Sequence, residues 1–294
     1  MKPVPRAVTA LVLLMTLIWG ANYAVARVAL RHFPALLIGP LRAALAALLL
    51  LPVYGWMRGR RRSSGPWQPR ELAALALLGV FGITLNQVFF ILGMARTSVA
   101  HAALIIATTP LQVMLLAAAR GQETVTARKA AGMLMAVAGV AVLHLGDAGA
   151  RGASLAGDLL VLAAAFCFSL YTVFSKELTR RHDSLTVNTL GYMAGALAGA
   201  PLLVSQWRDF DFARVGAGGW AALAYMTVLA SIVCYLIFYY ALDHLPASRV
   251  AAFSYLQPVI AALTGLVFLG EPITAPVAAG GLLVLGGVWI TGRG

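Results

Sequence analysis

Ten apolar runs follow one another along the chain, each close to the 20 residues a helix needs to cross about 30 Å of hydrocarbon. They fall at 7–27, 34–56, 71–95, 98–119, 127–146, 155–177, 185–205, 217–241, 247–269 and 273–291. No water-facing shell hides that many such runs. In lipid each backbone polar group has to be satisfied within the protein, so the runs predict helices. Composition agrees: 61% of residues are hydrophobic and 11% charged, where a soluble domain carries about 25% charged residues. The expectation is an all-α integral membrane protein. The longest polar connection, RGRRRSSGPWQPRE at 58–71, is too short to hold a soluble domain.

The formal net charge of +12 does not point to nucleic acid, because the basic residues are scattered between apolar runs and not gathered on one solvated face. Their distribution reads instead as orientation. With the N-terminus taken as cytoplasmic, 15 of the 22 Lys and Arg residues lie on the cytoplasmic side, 6 lie opposite, and Arg42 lies within a span. The positive-inside rule then places both termini in the cytoplasm, as an even number of spans requires. The expected location is a bacterial-type inner (plasma) membrane. Lys2 and Arg6 precede the first run in the manner of a leader. That run is long enough to span and has a counterpart in the second half, so it reads as a retained helix. Cys167 and Cys234 lie inside apolar runs and read as packing.

The chain also repeats itself. At an offset of 148, residues 103–140 and 251–288 align without a gap, with 12 identities in 38 positions. Pro110 pairs with Pro258, Glu123 with Glu271, Gly132 with Gly280 and Gly139 with Gly287. The expected units are therefore 1–148 and 149–294, five helices each. Five is odd, so the second unit enters the membrane from the opposite side and the two form an inverted repeat around a central cavity, an architecture that supports alternating access. A proline inside a helix costs about 3 kcal/mol. Two readings of Pro110 and Pro258 stand open: a static kink, or a paired hinge that shapes the cavity. Glu123 and Glu271 read as caps of the helix starts that follow them.

Several segments together resemble the drug/metabolite transporter superfamily and, within it, the ten-helix EamA-type exporters. These are WGANYAVARVAL (19–30), GPLRAALAALLLLP (39–52), TSVAHAALIIATTPLQVMLLA (97–117), GDLLVLAAAFCFSLYTVFSKEL (157–178) and LPASRVAAFSYLQPVIAALTGLVFLGEPIT (245–274). The resemblance covers essentially the whole chain. It implies ten helices in a five-plus-five inverted arrangement, with helices one, three, four, six, eight and nine lining the cavity and five and ten peripheral. It also implies the export of small metabolites, with aromatic and neutral amino acids as a frequent class.

Polar and aromatic residues on the implied lining helices are the candidate binding set. Trp19, Asn22 and Tyr23 share a face of helix one by their spacing. Asn86, Gln87 and Phe90 cluster on helix three, and Tyr235, Phe238 and Tyr239 on helix eight, with Tyr235 and Phe238 at the positions of Gln87 and Phe90 shifted by 148. Phe168 and Tyr171 on helix six, and Phe253 and Tyr255 on helix nine, complete it, with Gln257 nearby. For any single aromatic, packing or an interfacial belt is the plainer explanation. For an amide it is an interhelical hydrogen bond worth about 0.6 kcal/mol. The set as a whole suits a small zwitterion or an amphipathic metabolite.

His101 is the most suggestive ionisable group, either a functional residue within the membrane or a histidine hydrogen-bonded near the interface. Arg42 reads as snorkelling or paired with a carbonyl; Arg27 and Lys176 read as interface anchors, and His144 as interfacial. All ten acidic residues fall at helix ends or in loops. Export of lipophilic cations and proton coupling through a deep carboxylate are therefore not expected, which leaves His101-linked coupling or facilitated diffusion. The glycines at 191, 195 and 199, and those of helices five and ten, read as packing surfaces, a homodimer through helices five and ten among the readings. No phosphate-cradling loop supports ATP drive, no cofactor or metal is expected, and the scattered histidines and carboxylates do not assemble an enzyme site. The expectation is a secondary carrier exporting amino acids, with another metabolite, a drug or a passive channel as alternatives.

Overall fold

The computed structural model describes residues 6–58, 67–121, 125–146, 154–179, 181–245, 250 and 253–292. Glu123 lies outside them, as do the side chains of His144, Lys176 and Tyr255. The described residues form ten helices. Helix α1 is Arg6–Leu30, α2 Ala35–Arg58, α3 Pro69–Met94, α4 Val99–Ala119, α5 Ala127–Gly146, α6 Leu155–Thr179 and α7 Ser184–Trp207. Helix α8 runs through Ala217–Ala224, Tyr225–Val233 and Cys234–His244; α9 through Phe253–Leu256 and Gln257–Leu269; α10 is Ala275–Gly292. Among the described residues seven helices are long and apolar enough to cross a membrane; Gln257–Leu269 and Ala275–Gly287 are shorter apolar helices.

The ends are marked by caps. Ser98 opens α4 by accepting from the His101 amide, and Asp183 opens α7 by accepting from Leu185 and Thr186. At the start of α3, Glu71 accepts from the Gln68 amide at 2.9 Å and also binds Arg181 and His182, tying α3 to the turn before α7. Outward faces are apolar, with Leu17, Leu48, Leu134, Leu197, Phe268 and Leu282 exposed, whereas Asn22, Arg42, Gln87, His101, Asp158 and Asn188 are buried. This polar-in, apolar-out arrangement is what a lipid solvent selects.

Small residues decide which helices meet. Helices α5 and α10 pack on each other: a Cβ at Gly139 would lie 2.7 Å from the Gly280 carbonyl oxygen, and one at Gly287 would meet the Gly132 carbonyl. The glycines of helices five and ten, read as packing surfaces, are thus engaged within one chain. The α7 glycines receive α3 in the same way, with Gly195 against Ile83 and its carbonyl accepting from Thr84 at 2.7 Å. Helix α2 lies along α7, α6 along α3, and α1 runs between α8 and α9.

Candidate functional site

Four helices are irregular, and the irregular segments reach the centre of the bundle. In α4 the helix stops at Ile106 and restarts at Thr109, with Pro110 in the first turn of the new segment, where its fixed φ suits a helix start. The Thr108 and Thr109 hydroxyls donate to the Ile105 and Ile106 carbonyls, the second being the one an amide at position 110 would have bonded. In α9 a 3-10 turn at Phe253–Leu256 precedes Gln257 and Pro258 in the same relation. Helices α3 and α8 widen to π geometry over Gly79–Leu85 and Tyr225–Val233. Such insertions frequently accompany functional sites. They end just before Asn86 and Gln87 in the first half, and before Cys234 and Tyr235, the same positions shifted by 148, in the second.

Between these segments lies a cavity of about 90 Å³ lined by Trp19, Asn22 and Tyr23 of α1, Arg42 of α2, Asn86, Gln87 and Phe90 of α3, Ile106 and Thr109 of α4, Phe168 of α6, Ala230 and Tyr235 of α8, and Gln257 of α9. Its aromatic walls are fixed. Trp19 donates its indole N–H to the Ala230 carbonyl at 2.9 Å and meets Phe168 and Tyr235 edge-on at 5.7 and 5.8 Å. Tyr235 donates to the Gly82 carbonyl at 3.2 Å, and Tyr23 to Gln257 Oε1 at 3.2 Å, linking α1 to α9. Asn86 donates to the Ala164 carbonyl at 2.9 Å. By contrast Asn22 Oδ1, both amide atoms of Gln87 and Arg42 Nε are buried with no protein partner. Among the described residues the lining holds one cation and no carboxylate. Among the described residues no group of His, Cys, Asp and Glu could hold a metal ion.

All six helices expected to line the cavity do so, and α2 joins them through Arg42. Eight candidate residues meet there: Trp19, Asn22, Tyr23, Asn86, Gln87, Phe90, Phe168 and Tyr235. Others are placed elsewhere. Tyr171 and Tyr239 share a hydroxyl–hydroxyl hydrogen bond and are buried in the packing behind the wall. Phe238 borders a smaller adjoining pocket of about 40 Å³, and Phe253 packs on the core.

His101 lies outside the lining. It is fully buried, its Nδ1 3.2 Å from Asp158 Oδ2, and Asp158 also accepts from the Thr97 hydroxyl. Asp158 sits in the first turn of α6, at a helix end as its sequence position implies, and is itself buried against α4. Spacing could not reveal a partner 57 residues away. Arg42 and Thr109 were legible only as residue types. Their direction depends on which helix lies opposite.

Beyond the cavity, where α1 ends, the chain is tied shut. Arg27 donates to the Thr97 carbonyl and lies 3.5 Å from Glu271, whose other oxygen accepts from the Val99 amide at 3.0 Å. Glu271 thus caps the start of α4 and not that of α10, because the fold brings the end of α9 beside α4. Outside this closure lies a vestibule of about 530 Å³ lined by Arg27, Arg31, Phe33, Leu269 and Glu271 among others.

Comparison with known proteins agrees with this architecture. The EamA-like transporter family matches the chain twice, over residues 7–145 and 155–293. A probable terminal-alkyne amino-acid exporter of Streptantibioticus cattleyicolor is 31% identical over 289 residues, covering 98% of this chain and 94% of that protein. A probable amino-acid metabolite efflux pump of Salmonella typhimurium is 27% identical, covering 95% and 93%. An uncharacterized transporter of Archaeoglobus fulgidus is 28% identical over 94% and 95%. One solved crystal structure superposes with a TM-score of 0.68 at 20% identity over 97% of this chain and 96% of that one, which supports the fold. A match to both halves, together with relatives named as transporters along nearly the whole length, makes this chain a multi-pass membrane transporter of the EamA-like family.

Proposed function

We propose that this transporter exports small metabolites, foremost neutral or aromatic amino acids, by alternating access, as a secondary carrier of a bacterial-type inner membrane with both termini cytoplasmic. The observation that carries the reading is the cavity, built from both halves of the chain, with fixed aromatic walls and buried amide atoms that have no protein partner. Aromatic walls take an apolar side chain, and free amides take polar ends. Two relatives named for amino-acid export support the class, and the excess of Lys and Arg on one side supports the orientation. Division of the chain at 148/149 makes each half one gate-forming unit, with Pro110 and Pro258 as paired hinges beside the lining residues Thr109 and Gln257. A homodimer through α5 and α10 would use the outer residues Leu134, Val137 and Leu282, since the glycines are engaged internally.

The test is efflux from proteoliposomes loaded with labelled L-amino acids, with and without unlabelled competitor outside. Saturable efflux accelerated by competitor on the far side is expected. Non-saturable flux without counterflow would identify a channel, and no amino-acid movement by folded protein would overturn the substrate class.

A further inference from the structure

The polar half of the cavity is built around one charge. Arg42 is 4% exposed, eight residues into α2, and its side chain reaches the lining. One guanidinium nitrogen donates to Ser231 Oγ at 2.9 Å. Ser231 in turn donates to the Met226 carbonyl at 3.0 Å, five residues back along the π segment of α8, so its lone pair is aimed at Arg42. Arg42 Nε has no protein partner.

No carboxylate among the described residues pairs with Arg42. Asp158 is held by His101 and Thr97, Glu71 by Arg181 and His182, and Glu271 by Arg27 and the Val99 amide. Asp183 caps α7, and Asp211 pairs with Arg214. A buried ion left uncompensated is strongly unfavourable, and arginine does not escape by giving up its proton. A buried guanidinium without a counter-charge at the lining of a cavity is the arrangement that a ligand anion completes. Its planar fork matches a carboxylate through two parallel hydrogen bonds.

Lining residues that carry other buried, unpartnered polar atoms extend the match. Asn22 Oδ1 and Gln87 Oε1 are acceptors suited to an ammonium, Gln87 Nε2 is a second donor for the anion, and Trp19 and Phe168 supply an apolar face. With no carboxylate in the lining, a solute bearing only an amine finds no counter-charge there.

We infer that Arg42 is the counter-ion for a carboxylate of the transported solute, which makes this cavity selective for small carboxylate-bearing molecules over the corresponding amines. The inference rests on the reading of the cavity as the transport site and names the group by which that site recognises its solute.

Three probes of one carbon skeleton separate the groups: L-leucine, 3-methylbutylamine, which lacks the carboxylate, and 4-methylpentanoate, which lacks the amine. Binding is read as the ligand-dependent rise in Tm of purified protein. The expected result is that leucine and the acid stabilise the wild type while the amine does not. Arg42→Gln is expected to weaken both carboxylates at least tenfold, and Arg42→Lys to retain part of the binding. Should glutamine at 42 prevent folding, Ser231→Ala leaves the charge and removes its orienting partner, with severalfold weaker binding expected for the two carboxylates alone. Equal binding of leucine by wild type and Arg42→Gln would overturn the role of Arg42 while leaving the cavity as the transport site. An amine that binds as well as the acid would overturn the selectivity. If none of the three binds the wild type, the cavity reading fails with it.

Discussion

Thr109 shows how a single side chain repairs a defect written into the sequence. Pro110 deletes the amide that would bond the Ile106 carbonyl, and the Thr109 hydroxyl occupies that acceptor. Thr109→Val keeps the shape and leaves a part-buried carbonyl unsatisfied, at a cost of about 1 kcal/mol. The expected outcome is a lower Tm in detergent for the valine variant and a near-native value for Thr109→Ser, which keeps the hydroxyl. Residues such as Trp19, Asn22 and Gln87 are legible in the sequence, because three- and four-residue spacing fixes a shared face and lipid forbids an amide on the outside. For His101 the sequence left two readings open for the opposite reason: its hydrogen-bond partner is Asp158, and no local pattern connects the two. Thr109 itself carries no signal beyond its place ahead of a proline.

At the scale of the element, packing of glycine faces separates tolerated from disruptive changes. A Cβ at Gly139 would lie 2.7 Å from both the Gly280 carbonyl oxygen and the Val284 amide nitrogen, and backbone cannot swing aside. Gly139→Ala is expected to separate α5 from α10 and to destabilise by about 1–3 kcal/mol. Gly55→Ala is the control, since nothing lies within 4 Å of the added methyl; there the better helix former is expected to be neutral or to stabilise by up to about 1 kcal/mol. Thermal unfolding of both variants beside wild type checks the pair. The helices themselves were legible in length and order because a run of about 20 apolar residues has no other stable form in lipid. Their interruptions were legible only at the prolines. The π segments of α3 and α8 carry no sequence mark of that kind, for they arise where one helix accommodates its neighbours, as Gly82 does under the Tyr171 ring.

For the whole molecule the question is which end of the cavity is closed. The Arg27–Glu271 pair, with the Thr97 carbonyl and the Val99 amide, joins α1, α4 and the end of α9 between the cavity and the vestibule. Glu271→Gln keeps an acceptor for the Val99 amide but removes the charge facing Arg27, a loss of about 1 kcal/mol for a pair whose side chains are 24% and 27% exposed. A two-state equilibrium then shifts roughly fivefold toward the state open at this end. Labelling of Ala230→Cys, in a background with Cys167 and Cys234 replaced by alanine, by a small thiol reagent added on this side should accelerate by that factor. An unchanged rate would show that the closure resides elsewhere.

The sequence by itself determined the solvent, the number of helices and their two-fold repetition, since apolar run length, charge placement and a 148-residue offset are properties of the chain alone. It also determined most of the aromatic and amide wall, because helical spacing groups those residues whatever their neighbours. Tertiary structure decided what faces them. It brought Arg42 into the cavity from a helix not expected to reach it, turned Glu271 from its own loop to the start of α4, and buried Asp158 against His101. Each of these depends on contact between residues far apart in sequence, and the partner of a charged side chain in lipid is chosen by the fold that surrounds it.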